Sequence, residues 1–220
     1  MYTLIIGNKN YSSWSLRPWL ALRATGIAFS EQKLGFFTEE FSRKVAAVSP
    51  AGLVPVLLDG EFAVWDSLAI CEYAADQHPD AGLWPKDAKA RARARSLAAQ
   101  MHSGFGALRN ALPMNIEAHL PGIDMSEAVH ADIQRMQALW RETREQFGHG
   151  GDFLFGAFSI ADAFFAPVVS RFTTYDVPAT GAVRDYMDAV LALPAMQEWM
   201  RDARAEATFV PEDEPYRKHR

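Results

Sequence analysis

The chain contains a single cysteine, Cys71, among 220 residues. An internal disulfide is therefore excluded, and a reducing cytoplasm is the expected location. It follows that Asn10-Tyr11-Ser12, formally a glycosylation sequon, is not expected to carry a glycan. No apolar run approaches the roughly 18 residues of a membrane span. The first residues, MYTLIIGNKNYSS, lack a basic region followed by a long apolar one, so no signal peptide is expected. An excess of positive charge is missing too: 22 Lys and Arg stand against 27 Asp and Glu, a net charge of −5. That balance argues against a general nucleic-acid binder. The six histidines form no His-x-x-x-His pair and have no cysteine support, so no metal site is expected. Internal repeats and low-complexity tracts are also absent. What remains is an ordinary composition, 49% hydrophobic and 22% charged, with ample material for a core.

Tyr2–Ile6 reads as a short apolar strand closed by Gly7-Asn8-Lys9-Asn10. Three serines, Ser12, Ser13 and Ser15, then lead into a helical pattern that ends at Gly26, with Pro18 assigned to its first turn. Phe29–Leu34 reads as a second strand and Glu39–Val48 as a short helix. Val54–Leu58 follows as a buried strand, joined through Asp59-Gly60 to Phe62–Trp65; Asp-Gly between apolar runs is a strong hairpin signal. A helix over Leu68–Gln77 closes this part. The order β-α-β-α-β-β-α fits a small mixed sheet with helices on both faces. The Pro- and Gly-containing stretch 79–87 reads as a linker. Beyond it only helices are expected: Ala88–Leu112, Met125–Phe147, Ile160–Thr173 and Tyr186–Ala205. The tail Pro211–Arg220 alternates acidic and basic blocks and is expected to be mobile.

Pro55 is awkward, because proline cannot donate a ladder hydrogen bond and belongs at a strand's first position or on an edge. A cis Val54–Pro55 bond is one economical solution, turning the backbone and offering the Val54 peptide groups to a ligand. Hydroxyls at the start of the first helix can be plain caps, but three serines there also suit an anion or thiolate site, where N–H groups and the helix dipole favour negative charge. Asp66 and Ser67 form a second polar pair at the end of the same sheet. Ser67 is expected to cap the helix that follows. The pair also suits a ligand with both an ammonium and a carboxylate, the first for Asp66 and the second for Ser67. Ser159-Ile160-Ala161-Asp162 reads as a capping box. Its hydrophobic staple would pair Phe158 with Ala163, a weak partner. Arg91 and Arg95 share a helix face that Arg93 does not, so they mark a solvated or subunit-facing surface.

Together, SSWSLRPWLAL, SPAGLVPVL, WDSLAICEY and FGAFSIADAFFAPVVSRF resemble the cytosolic glutathione transferases over essentially the whole chain. The serine loop is most similar to the zeta and related serine-type classes, whose pattern is S-S-C-x-W-R-V-R. Ser12, Ser13 and Arg17 fit it in register, whereas Trp14 replaces its cysteine and Pro18 its valine. The resemblance implies an α/β thioredoxin-like domain over 1–78 (βαβ-ββα, with a cis proline), a linker over 79–87, and an all-α helical-bundle domain over 88–220. It implies glutathione as cosubstrate and no metal. Ser12 or Ser13 would hold the sulfur as thiolate, Ser12 being favoured by register. Val54, before Pro55, would pair with the cysteinyl backbone, and Asp66 and Ser67 would hold the γ-glutamyl end. A pocket for a small hydrophobic electrophile would lie between the domains, with Trp14, Met101, Phe105 and Met114 as candidates and His102 undecided between a structural and a catalytic role. The implied activity is a cytoplasmic, homodimeric glutathione transferase of detoxification type. A zeta-like isomerase and a non-catalytic binding module are the alternatives.

Overall fold

Strand β1 (Tyr2–Ile6) sends alternate side chains to opposite faces of a sheet. Tyr2, Leu4 and Ile6 enter the main core, while Ile5 joins Leu34, Val45 and Val56 in a smaller cluster on the other face. In the computed structural model, which describes residues 1–220, β1 is followed by α1 (Ser13–Ala24), β2 (Phe29–Lys33) and α2 (Glu39–Ala46). Then come β3 (Val56–Asp59), β4 (Phe62–Trp65) and α3 (Ser67–Gln77). The four strands take the order β2-β1-β3-β4. β1 and β2 are parallel, and β3 is antiparallel to both β1 and β4. This is the expected thioredoxin-like arrangement, with α1 and α3 on the main-core face and α2 on the other.

The Val54–Pro55 peptide bond is cis, as the sequence suggested. The strand begins two residues later than expected, at Val56, so the missing N–H of Pro55 falls outside the ladder. Pro18, in contrast, lies beyond the first turn of α1, which starts at Ser13. It therefore deprives the Trp14 carbonyl of its helical donor.

The second half is all helical: α4 (Ala88–Ser103), α5 (Gly106–Ala111), α6 (Glu127–Phe147), α7 (Ile160–Thr174), α8 (Gly181–Ala192) and α9 (Pro194–Ala205). Two helices expected to be continuous are broken. The 88–112 stretch divides at Gly104 and Phe105, where Phe105 takes a left-handed φ of 57°. A Cβ on Gly104 would stand 2.7 Å from the Gln100 carbonyl oxygen, so a side chain is excluded there. The 186–205 stretch divides at Leu193, because the following proline forces it out of helical geometry. α7 is buried along almost its whole length and packs against α1 and α4, joining the two halves through one continuous core.

The tail departs most from expectation. Glu214 is buried and accepts hydrogen bonds from Tyr11 Oη at 2.7 Å and Asn115 Nδ2 at 2.9 Å. Arg217 bridges Glu214 and Glu117, and Tyr216 donates to the Ala111 carbonyl. The alternating charges therefore staple the tail to the β1–α1 loop and to the segment after α5.

Candidate functional site

The β1–α1 loop is fixed from several sides before it reaches its serines. Lys9 is buried, with Nζ 2.8 Å from both Glu31 and Asp202, and its carbonyl accepts from Trp199 Nε1. The Asn10 side chain bonds Asn115 and the Glu117 amide, each at 2.9 Å. Tyr11 donates to Glu214, and its hydroxyl is pushed up to about 12 by burial and that carboxylate. A tyrosine so committed does not supply a thiolate donor.

Ser12 is the N-cap of α1 and accepts from the Ser15 amide at 3.3 Å. Its Oγ is 2.7 Å from Ser15 Oγ, which accepts from the Gly7 amide at 3.1 Å. A hydroxyl has one proton and two lone pairs. If Ser15 donates to Ser12, the Ser12 proton is free; if Ser12 donates to Ser15, it is spent. Ser13 is the first helical residue, and both serines line a cleft of about 310 Å³.

Val54, Pro55, Asp66 and Ser67 line an adjoining cleft of about 480 Å³, which shares Trp14, Leu53 and Val54 with the first. The sequence thus identifies two polar groups that the fold brings to one place. The cap assignment differs from expectation. Asp66, at φ 75°, caps α3 by accepting from the Leu68 and Ala69 amides at 2.8 and 3.2 Å. Ser67 is displaced to the first helical position, and its buried Oγ has no hydrogen-bond partner.

The expected pocket residues divide. Trp14 lines both clefts and Met114 the first. Met101 and Phe105 are almost wholly buried in the helical core and line neither, because the break at Phe105 turns its ring inward. His102, undecided from the sequence, lies against Asp66 and Trp14, two of the residues that line the second cleft. Its Nε2 is 3.2 Å from Asp66 Oδ2, and its ring meets Trp14 edge-on at 5.2 Å. Burial, with Arg17 and Arg109 nearby, lowers its pKa against the opposing pull of Asp66. Cys71 lies buried on α3, and burial pushes its thiol well above the ordinary range, which leaves it inert.

Three residues escaped the sequence reading. Arg109 and Arg171 line the serine cleft, and Asp213 of the tail joins them. Arg17 packs behind it, with its guanidinium 4.1 Å from the Trp14 ring centroid. The only sequence signal was indirect: an arginine inside the apolar run FFAPVVSRF cannot easily reach water.

The sequence matches the family described as "Glutathione S-transferase, N-terminal domain" over residues 11–77, and "Glutathione S-transferase, C-terminal domain" over 88–202. A "Probable maleylacetoacetate isomerase" of Caenorhabditis elegans is 28% identical over 189 residues, covering 78% of this chain and 87% of that protein. "Glutathione S-transferase 1" of Dianthus caryophyllus is 30% identical over 162 residues, 72% of each chain. Among solved structures, a glutathione transferase homolog from Burkholderia gl BGR1 with bound glutathione superposes with a TM-score of 0.71. It covers 93% of this chain and 98% of its own at 23% identity, a likeness of fold.

Proposed function

Because the chain belongs to the glutathione S-transferase family, we propose that it binds glutathione across the two adjoining clefts and activates its thiol. The carrying observation is the hydrogen-bonded series Gly7 N–H, Ser15 hydroxyl, Ser12 hydroxyl, which ends at the N-terminus of α1 on the cleft. A free thiol has a pKa of about 8.5, so only a few per cent is thiolate at neutral pH. A charge-assisted hydrogen bond of roughly 1.5–3 kcal/mol lowers that by one to two units. Ser12 supplies it when Ser15 donates inward, and Ser13, beside it on the cleft, is the second donor. The Val54 peptide group pairs with the cysteinyl backbone. Asp66 receives the γ-glutamyl ammonium, and the unpartnered Ser67 hydroxyl receives its carboxylate.

The thioredoxin-like domain over 1–78 then holds glutathione, and the helical domain over 88–220, reached through 79–87, supplies the far wall of the cleft. No helix is long and apolar enough to cross a membrane. The protein acts as a cytoplasmic homodimer in this reading, transferring glutathione to a small electrophile. Isomerisation is the second reading, favoured by relatives named as maleylacetoacetate isomerases. There the thiolate adds to a double bond and leaves again, so the product contains no glutathione. Retention on immobilised glutathione, followed by mass analysis of products across an electrophile panel, tests all of these. A glutathione adduct supports transfer, and an isomer without glutathione supports the alternative. No retention and no turnover would leave only a non-catalytic module.

A further inference from the structure

His102 reaches from the last turn of α4 to the proposed γ-glutamyl end of the site, across the boundary between the two halves. Its ring is held between Trp14, edge-on at 5.2 Å, and Phe164, whose ring centroid lies 6.2 Å away. Its carbonyl accepts from Arg109 Nη1 at 3.3 Å. Nε2 stands 3.2 Å from Asp66 Oδ2, while Asp66 Oδ1 is committed to the Leu68 and Ala69 amides. Nδ1 is buried and has no hydrogen-bond partner.

A carboxylate only accepts, so the neutral ring turns a protonated Nε2 to Asp66 and leaves Nδ1 bare. A second proton would create a buried N–H without an acceptor. The charges around the ring divide. Asp66 and the C-terminus of α4 favour the imidazolium; burial, Arg17 on α1 and Arg109 on α5 oppose it. Trp14 and Phe164 carry no charge. Burial dominates, and the ring titrates below its ordinary value of 6.5.

Where glutathione binds as proposed, with its ammonium on Asp66, we infer that His102 is a positioning residue with two states. As a neutral ring it fixes the carboxylate for the ammonium; as an imidazolium it competes with the ammonium for that carboxylate. Two unit positive charges on one partly exposed carboxylate repel enough to move a pKa by about one unit. Binding therefore lowers the His102 pKa, and by linkage acid lowers the affinity. Affinity is full above the free-protein pKa, falls as pH drops through it, and levels off about tenfold weaker.

The test uses S-methylglutathione, whose sulfur does not titrate, and N-glutaryl-S-methylcysteinylglycine, the same molecule without the ammonium. The His102 ring is titrated by NMR in the native protein, free and saturated with each ligand, and His102→Gln identifies its signals. S-methylglutathione should lower the pKa by about one unit. The glutaryl compound keeps the carboxylate but not the cation, and should leave the pKa unchanged or raise it. Calorimetry from pH 7.5 to 5 should show the matching loss of affinity, up to about tenfold, for S-methylglutathione alone, and His102→Gln should abolish it. At pH 7.5 His102→Ala should bind S-methylglutathione about tenfold more weakly than the native protein, whereas His102→Gln, which keeps a donor, retains most of the affinity. If neither variant folds, the contrast between the two ligands in the native protein decides. An unchanged or raised pKa in the S-methylglutathione complex overturns the inference. So does an acid loss that the glutaryl compound shares or that survives in His102→Gln, and so does native affinity in His102→Ala. No binding of S-methylglutathione at pH 7.5 removes the glutathione site itself, and the inference with it.

Discussion

Helices α1 and α7 pack against each other, and each starts at a serine, yet the two starts do opposite things. At α7 the hydroxyl and amide of Ser159 both meet Asp162 Oδ2, at 3.0 and 2.8 Å, and Asp162 Oδ1 accepts from the Leu154 amide at 3.1 Å. That circuit is closed, buried, and ends on a carboxylate. Phe158 finds its aromatic partner in Phe153 at 5.6 Å, since Ala163 is too small to staple it. At α1 the cap ends on a second hydroxyl, no acid stands in the first turn, and the serines face a cleft. One capping chemistry thus closes on itself in one place and ends on a cleft in the other, where the proposed function sets the glutathione thiolate. The difference lies in whether the protein supplies the negative charge itself.

Asp162→Ala should have the largest effect, because it opens the closed circuit and leaves the Leu154 and Ser159 amides buried without acceptors. A loss of about 3–5 kcal/mol in urea unfolding is expected. The same carboxyl sets a pH dependence. Burial raises it to about 6, so the folded state holds the proton more tightly than the unfolded state, where a carboxyl titrates near 3.9. Its contribution is complete below about pH 4 and is lost as pH rises towards about 6, a slope that Asp162→Asn should abolish.

Ser12→Ala opens the other circuit and should separate stability from activity. Removing a cap costs about 1 kcal/mol. Turnover should fall by roughly ten- to a hundredfold with glutathione affinity little changed, as removal of a charge-assisted hydrogen bond predicts. If Ser13→Ala gives the larger loss in kcat, the donor is Ser13, and Ser12 is a cap like Ser159.

Glu214→Gln probes what holds the open site in place. Burial pushes this carboxyl up, but Arg217 and Tyr11 outweigh that and leave it below its ordinary range. Its contribution is therefore present above the unfolded pKa and lost as pH falls through the folded one. The substitution should cost about 1–2 kcal/mol and flatten that acid-side loss. The smallest effect belongs to Arg93→Ala, an exposed position on α4, where a change within about 0.5 kcal/mol is expected.

Much of the fold was readable because it rests on local rules. A short apolar run closed by Gly7 placed β1, Asp59-Gly60 placed the β3–β4 hairpin, and Ser-x-x-Asp placed the start of α7. The serines, Val54-Pro55 and Asp66-Ser67 could be singled out because polar or proline residues interrupted apolar patterns. What escaped was burial of charge. Lys9, Arg17, Arg171 and Glu214 have surface-like identities, and only the tertiary fold surrounds them. The breaks at Phe105 and Leu193 carried local signals in Gly104, Gly106 and Pro194, which the apolar periodicity across them masked.

The most direct measurement is a pH titration of the glutathione thiolate in the complex, followed by its ultraviolet absorbance. The account predicts an apparent pKa one to two units below the roughly 8.5 of a free thiol, restored towards that value by alanine at the donating serine. A bound thiol that titrates as it does in water, in the native protein and in both serine variants alike, would contradict it.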